Sequence, residues 1–311
     1  MTRTVSPPVA QALDRPPTRD VGLLVVALLA VSTSGPLIAA TVVPALAIAF
    51  WRNALAAVVL TPAVLLRRRA ELLSLDRRER RLAGLAGLLL ALHFATWIPA
   101  LTYTSVASAT ALVATQPVWS ALIGRARGQD VQRQVWVGIA VSVTGALLLT
   151  GADLQVSGQA LLGDGLAAVG GLFAAAYMTA GSEVRRSVST TTYTAICYTT
   201  TAVLLLVVCL AGGQSLHGYG GGDWLKLLAL TAGAQLLGHS LFNVVLRTTS
   251  PTVVSLSILF EIPGAAVIAA VFVKGQHVPA LAVPAAVLLV CGLALVIRST
   301  SRDSEPSVPV E

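Results

Sequence analysis

Polar and apolar residues do not alternate along this chain; they come in blocks. Ten apolar segments of about 20–22 residues can be marked, at 21–41, 45–66, 82–101, 105–124, 132–151, 160–181, 191–211, 224–245, 252–273 and 279–298. At 1.5 Å per residue, each helix of that length spans the roughly 30 Å hydrocarbon layer of a bilayer. The segments are runs of Leu, Ala, Val and Gly with no period of two, so membrane-barrel strands are excluded and each backbone must satisfy itself as a helix. Pro44, Thr102 to Thr104, Pro251 and Lys274-Gly275-Gln276-His277 punctuate the series. The first apolar run is longer than the 7–15-residue core of a signal peptide, and reads as an uncleaved span.

The chain also resembles itself. Leu101-Thr-Tyr-Thr-Ser105 is similar to Leu246-Arg-Thr-Thr-Ser250, an offset of 145. Gly128-Gln129 matches Gly275-Gln276, and Gly145-Ala-Leu-Leu-Leu resembles Gly292-Leu-Ala-Leu-Val, both at an offset of 147. Each copy then holds five spans, and an odd number flips the second copy across the membrane. The expected fold is an all-α integral membrane protein with ten transmembrane helices arranged as two inverted five-helix repeats. Its parts are a polar tail at 1–20, a first repeat at 21–151, a second at 160–298 and a tail at 299–311. Inverted repeats are a common architecture of secondary transporters.

Composition sharpens this picture. Charged residues make up 11% of the 311 residues, against roughly 25% in soluble domains. The net charge of +7 is no nucleic-acid footprint, because the basic residues flank apolar runs. With the N-terminus placed in the cytoplasm, Arg3, Arg15, Arg19, Arg67 to Arg69, Arg77, Arg78, Arg80, Arg81, Arg125, Arg127, Arg133, Arg185, Arg186, Arg247, Arg298 and Arg302 all fall inside. That is 18 of the 21 Lys and Arg, leaving Lys226 and Lys274 outside and Arg52 within a span. Both termini are therefore expected in the cytoplasm of a multi-pass protein of the inner (plasma) membrane. The 67–81 loop reads as topology and lipid headgroup contact. Cys197, Cys209 and Cys291 lie in apolar runs without disulfide or metal spacing, and read as small buried hydrophobes.

These features resemble the drug/metabolite transporter superfamily, specifically its EamA-type ten-helix permeases. The resemblance rests on Ala49-Phe-Trp-Arg-Asn-Ala-Leu-Ala-Ala57, Ala100-Leu-Thr-Tyr-Thr-Ser105 with Gln116-Pro117, and Glu261-Ile-Pro263. It covers about residues 20–298. Gln129 and Gln276 stand where the family often has Glu, and Gln116 replaces an acid of many relatives. The resemblance implies a transporter, most often an exporter, of small organic metabolites such as amino acids or drugs, working without a cofactor.

Polar side chains at membrane depth are costly and are the site candidates. Glu261, about ten residues into the ninth span, is a proton-coupling candidate, a ligand for an amine, or a structural hydrogen-bonding group beside Pro263. Arg52 would hold a substrate carboxylate, pair with Glu261 or bond a free carbonyl. His93 and Trp97 share a face of the third span; His93 could carry a proton or bond a neighbouring helix. Gln235, His239 and Asn243 recur at i, i+4, i+8 on the eighth span, a polar stripe that lines a cavity or cements packing. Gln116 and Trp119 share a face of the fourth span, and Trp51, Trp97, Trp119 and Tyr177 are candidate apolar walls for a solute. Trp136 and Trp224 read as interface anchors, and Gly170-Gly171 as a close helix contact.

The expected partners are a small-molecule solute and membrane lipid, with no nucleic acid, in a monomer or homodimer. A membrane scaffold or lipid-carrier flipping subunit is the alternative. An intramembrane enzyme is disfavoured: Gly238-His239-Ser240 puts His and Ser about 100° apart on a helix, and there is neither a zinc-binding His-Glu-x-x-His nor a P-loop. No catalytic or metal-binding residue is expected.

Overall fold

The computed structural model describes residues 16–104, 109, 112–113, 115–150, 158–272 and 281–302. The tails before 16 and after 302, part of the fourth segment and the Lys274 to His277 junction lie outside the described residues. Everything regular among the described residues is helical. In chain order the helices are α1 (Thr18–Val31), α2 (Ser34–Ala39), α3 (Ala45–Arg67), α4 (Arg69–Ser74), α5 (Arg77–Tyr103), α6 (Gln116–Ala126), α7 (Arg133–Thr150) and α8 (Gly158–Val184). They continue with α9 (Thr190–Ala211), α10 (Gly221–Leu230), a π-helix (Thr231–His239), α11 (Ser240–Val245), α12 (Pro251–Ile258), α13 (Glu261–Phe272) and α14 (Ala282–Arg302).

Six helical stretches are long and apolar enough to cross a membrane: Thr18–Ile38, Ala45–Arg67, Arg77–Tyr103, Gly158–Val184, Thr190–Ala211 and Gly221–Val245. Arg133–Leu148, Pro251–Gly264 and Val283–Ser299 are shorter apolar helices. The outer surface is oily. Leu29, Val58, Val59, Val203, Val207, Leu228, Val287 and Val290 are exposed, an arrangement that water penalises and lipid does not. Cys291 is exposed on α14, whereas Cys197 and Cys209 are buried; the expectation that all three are buried is corrected for Cys291. An apolar surround can be lipid as well as protein, and the sequence pattern does not distinguish them.

Helix ends are set by local chemistry. Asp76 accepts from the Glu79 backbone N–H at 2.7 Å while Glu79 accepts from the Asp76 N–H at 3.0 Å, a capping box that starts α5. Ser189 caps α9, and Ser250 with Pro251 starts α12. α3 carries the chain from one side to the other, so Thr41 and Arg67 mark opposite faces. Glu183 gathers Arg78, Arg127 and Arg186 on the arginine-rich face. There Glu71 also accepts from the Ser189 N–H, the Ser189 hydroxyl and the Thr192 hydroxyl at 2.7–2.8 Å. On the opposite face Asp223 accepts from Thr41 at 3.0 Å and pairs with Lys226 at 3.0 Å, and Lys226 donates to the Ala40 carbonyl at 2.6 Å.

Packing crosses between the sequence repeats. α3 packs along α9, α6 along α12, α7 along α14, α5 along α8, and α1 along the π-helix and α11. Exchanging each span with the one five places away maps this set of pairs onto itself. At the α7–α14 contact a Cβ on Gly138 would lie 2.7 Å from the Gly292 carbonyl, and one on Gly292 would lie 2.5 Å from the Gly138 carbonyl. The two backbones touch because neither residue has a side chain. Gly170 similarly admits Trp97, whose Cβ would be 3.1 Å from an added methyl.

The buried apolar residues form two main clusters. The larger is drawn from α1 to α3, α5, α8 to α11 and the π-helix, with Val254 of α12 joining it; it includes Leu90, Phe94, Tyr198 and Phe242. The smaller joins α6, α7, α12, α13 and α14 through Ala121, Ile139, Leu256, Leu259 and Leu289. Each cluster takes spans from both repeats, so the repeats interleave and do not fold as two separate bodies.

Candidate functional site

Several apolar spans are interrupted partway along their length. Ser32 and Thr33 separate α1 from α2, and Leu259 and Phe260 separate α12 from α13. A π-helix replaces the α-helix over Thr231–His239. Such interruptions free backbone groups and draw polar partners. Ser32 donates to the Leu28 carbonyl at 2.7 Å and to the Glu261 carbonyl at 3.3 Å, so the break in the first span meets the break in the ninth.

Arg52, only 1% exposed, lies beside this junction. Its Nε donates to Gln235 Oε1 at 2.8 Å and its Nη1 to Ser34 Oγ at 3.5 Å. The guanidinium sits 4.3 Å from the centre of the Phe94 ring, a cation–π contact. Gln235 donates in turn to Asn53 Oδ1 at 3.1 Å, and Asn53 donates to the Ala49 carbonyl at 2.9 Å. These bonds fix which end of the Gln235 amide faces the cation. Arg52 Nη2 is enclosed and has no hydrogen-bond partner.

Around this cation, Phe94 meets the His239 ring edge-on at 5.7 Å. His93 stacks on Trp97 with centroids 5.8 Å apart and planes at 6°. His93 Nδ1 donates to the Gly170 carbonyl at 2.9 Å, tying α5 to α8. His239 Nδ1 and Trp97 Nε1 are enclosed without partners. The Glu261 carboxyl stands within electrostatic reach of Arg52, but among the described residues no ion pair joins them. The direct Arg52–Glu261 pair considered from the sequence is absent.

The remaining candidates fall elsewhere. Tyr177 and Asn243 exchange hydrogen bonds at 3.0 and 2.7 Å, next to Arg185, which donates to the Asn243 carbonyl at 2.8 Å. The Tyr198 hydroxyl, 3.3 Å from Ser240 Oγ and 3.5 Å from the Gln235 carbonyl, links the Gln235 and Asn243 levels. Gln116 donates to Ser255 at 3.0 Å and to Met178 Sδ at 3.1 Å, joining α6 to α12 and α8. Trp119 Nε1 is enclosed and unpartnered. Trp51 is at the rim: its indole donates to the Leu216 carbonyl at 3.1 Å and lies edge-on to Trp224 at 4.9 Å. The polar stripe Gln235, His239, Asn243 is therefore distributed over several levels, and the π-helix displaces its α-helical register.

Asn53, Ser34, Ser32, Phe94 and Tyr198 complete the cluster and were not singled out from the sequence. A signal was present for some. Ser32-Thr-Ser-Gly-Pro36 interrupts the first apolar run with three hydroxyls and a Gly-Pro, and interrupted spans mark binding sites in transporters of this architecture.

The sequence model of a family described as the EamA-like transporter family matches residues 20–151 and 161–298. A solved structure titled "Crystal structure of protein" is similar with a TM-score of 0.73 and 18% identity, covering 93% of this chain and 99% of its own; that likeness concerns the fold. No curated protein matches.

Proposed function

The chain belongs to the EamA-like transporter family, whose members are membrane transporters of small molecules, and from that premise we propose that it is a secondary exporter of small organic solutes. The solute binds at the Arg52–Gln235–His239 cluster and is exposed to the two sides in turn. The observation that carries this reading is the place of the cluster. It is polar, lies where broken helices meet, and is built by α2, α3, α5 and the π-helix of the larger body beside the Ser32–Glu261 contact with α13 of the smaller, the two bodies being bonded also by Gln116 to Met178 and Arg127 to Glu183. Movement of the smaller body against the larger would open the cluster to either face.

The remaining parts of the proposal follow the chain. Ten spans, inverted between repeats, put the Arg78–Arg127–Glu183 group and both termini in the cytoplasm of the plasma membrane. The pairing pattern that maps onto itself under a five-span exchange supports the two matching repeats. Glu261, at the first turn of α13 and within electrostatic reach of Arg52, is the proposed proton carrier, with solute and proton exchanging for one another. A scaffold would not need a buried cation with an unfilled donor.

Flux in reconstituted vesicles tests the proposal. Purified chain should move at least one small organic solute out of loaded vesicles, faster with an imposed pH gradient than without. Empty-vesicle rates for a broad panel of amino acids, drugs and organic acids would defeat the transport reading.

A further inference from the structure

Arg52 is positioned for recognition. Two of its three guanidinium nitrogens are engaged, Nε by Gln235 at 2.8 Å and Nη1 by Ser34 at 3.5 Å, and the plane rests on Phe94 at 4.3 Å. The third, Nη2, is enclosed and bonded to nothing. A guanidinium is always charged, and a buried cation without a directly bonded anion is among the most costly arrangements inside a membrane. Glu261 supplies no direct bond. Close by, His239 in edge contact with Phe94 has an enclosed, unpartnered Nδ1, and Trp97, stacked on His93, has an unpartnered indole N–H. The site thus offers one fixed positive charge with an unpartnered donor, a second unpartnered ring nitrogen and an aromatic surround.

We propose that the Arg52 cluster is a receptor for a singly charged carboxylate on a small aromatic or apolar solute. The carboxylate accepts from Arg52 Nη2, and the apolar part of the solute lies against the Phe94, His93 and Trp97 rings. One anionic charge matches one guanidinium. A phosphate dianion leaves a buried excess negative charge, and an amine adds a second cation, so both are disfavoured. This inference rests on the transport reading of the same site and narrows its substrate class.

The test uses the full chain in lipid nanodiscs and four probes of matched shape: phenylacetate, phenylacetamide, phenyl phosphate and 2-phenylethylamine. Binding is read by calorimetry and by quenching of tryptophan fluorescence. Phenylacetate should bind at least about tenfold more tightly than phenylacetamide, as a charge-assisted bond exceeds a neutral one, and more tightly than the phosphate or the amine. Arg52→Gln should bring the acid and amide affinities together. The comparison on the unaltered chain decides the matter even where the variant does not fold. Acid and amide binding within about twofold, no binding by any probe, or an acid preference that survives Arg52→Gln overturns the proposal. Vesicle flux separates the two readings. Transport of neutral solutes without acid preference removes the carboxylate site and keeps the carrier. Acid-selective binding with no flux of any solute keeps the site and removes the carrier.

Discussion

The buried cation is held by neutral groups. Gln235 gives Arg52 its shortest bond, and a buried hydrogen bond to a charged group is worth about 1.5–3 kcal/mol. Gln235→Leu removes that acceptor and leaves Asn53 Oδ1 without its donor. Thermal unfolding of the purified variant should fall by several degrees, and flux should drop about tenfold, given that 1.4 kcal/mol is a factor of ten; an unchanged melting temperature would show that the bond does not hold the site. Glu261→Gln tests a separate role. Solute exchange without a gradient should continue, and acceleration by a pH gradient should vanish; acceleration that persists removes Glu261 as the proton carrier. Arg52, Gln235, His93 and Glu261 stood out in the sequence because a polar group in an apolar run has few reasons to be there. Asn53, Ser34 and Tyr198 did not, because small amides, hydroxyls and phenols also serve ordinary helix packing. Trp51 was expected to wall the solute and is instead bonded to Leu216 at the rim, since an indole serves an apolar wall and an interface equally well.

The elements were legible to different degrees. The apolar blocks located the long helices to within a few residues: 82–101 was expected where α5 covers Arg77–Tyr103, and 160–181 where α8 covers Gly158–Val184. The interruptions were harder. Hydrophobicity does not change at Leu259–Phe260, and across Thr231–His239 the polar Gln235 and His239 mark a stripe but not the π-helical hydrogen bonding that departs from the α-helix. Small residues set how closely elements approach. A Cβ on Gly87 would lie 2.6 Å from Thr200 Cβ and 2.7 Å from the Cys197 carbonyl. Gly87→Ala must push α5 from α9, and should cost about 1–3 kcal/mol in the unfolding free energy, as overpacking does; an unaltered melting curve would mean the contact relaxes freely. On the arginine-rich face, burial would raise the Glu71 carboxyl, but bonds from Ser189, Thr192 and Arg68 outweigh it and hold the group below its ordinary 4.5. A carboxyl with a depressed folded value stabilises the fold fully above its unfolded value and loses that contribution as pH falls through the folded one. Stability should therefore decline below about pH 4.5, and Glu71→Gln should flatten that decline. A variant as acid-sensitive as the parent would place the cause elsewhere.

At the scale of the molecule, the sequence repeat predicted two matching halves, and the packing instead interleaves them into a larger and a smaller apolar body. Repeat boundaries record descent along the chain, while bodies follow which faces bury against each other, and only the first is visible in a single sequence. Ion pairs and capping bonds close the arginine-rich face around Glu183 and Glu71, and the Asp223–Lys226–Thr41 group ties the other. A carrier that alternates must release one of these sets when it opens that face. The most direct measurement is flux through a chain whose arginine-rich face can be clamped at will. Arg127 and Glu183, 2.8 Å apart at their tips, are replaced by cysteine with Cys291 changed to alanine, and the pair is bridged by a short bifunctional thiol reagent that a reductant removes. Alternation predicts that the bridged protein stops moving solute and that reduction restores the rate; equal flux in the bridged and reduced forms would contradict it.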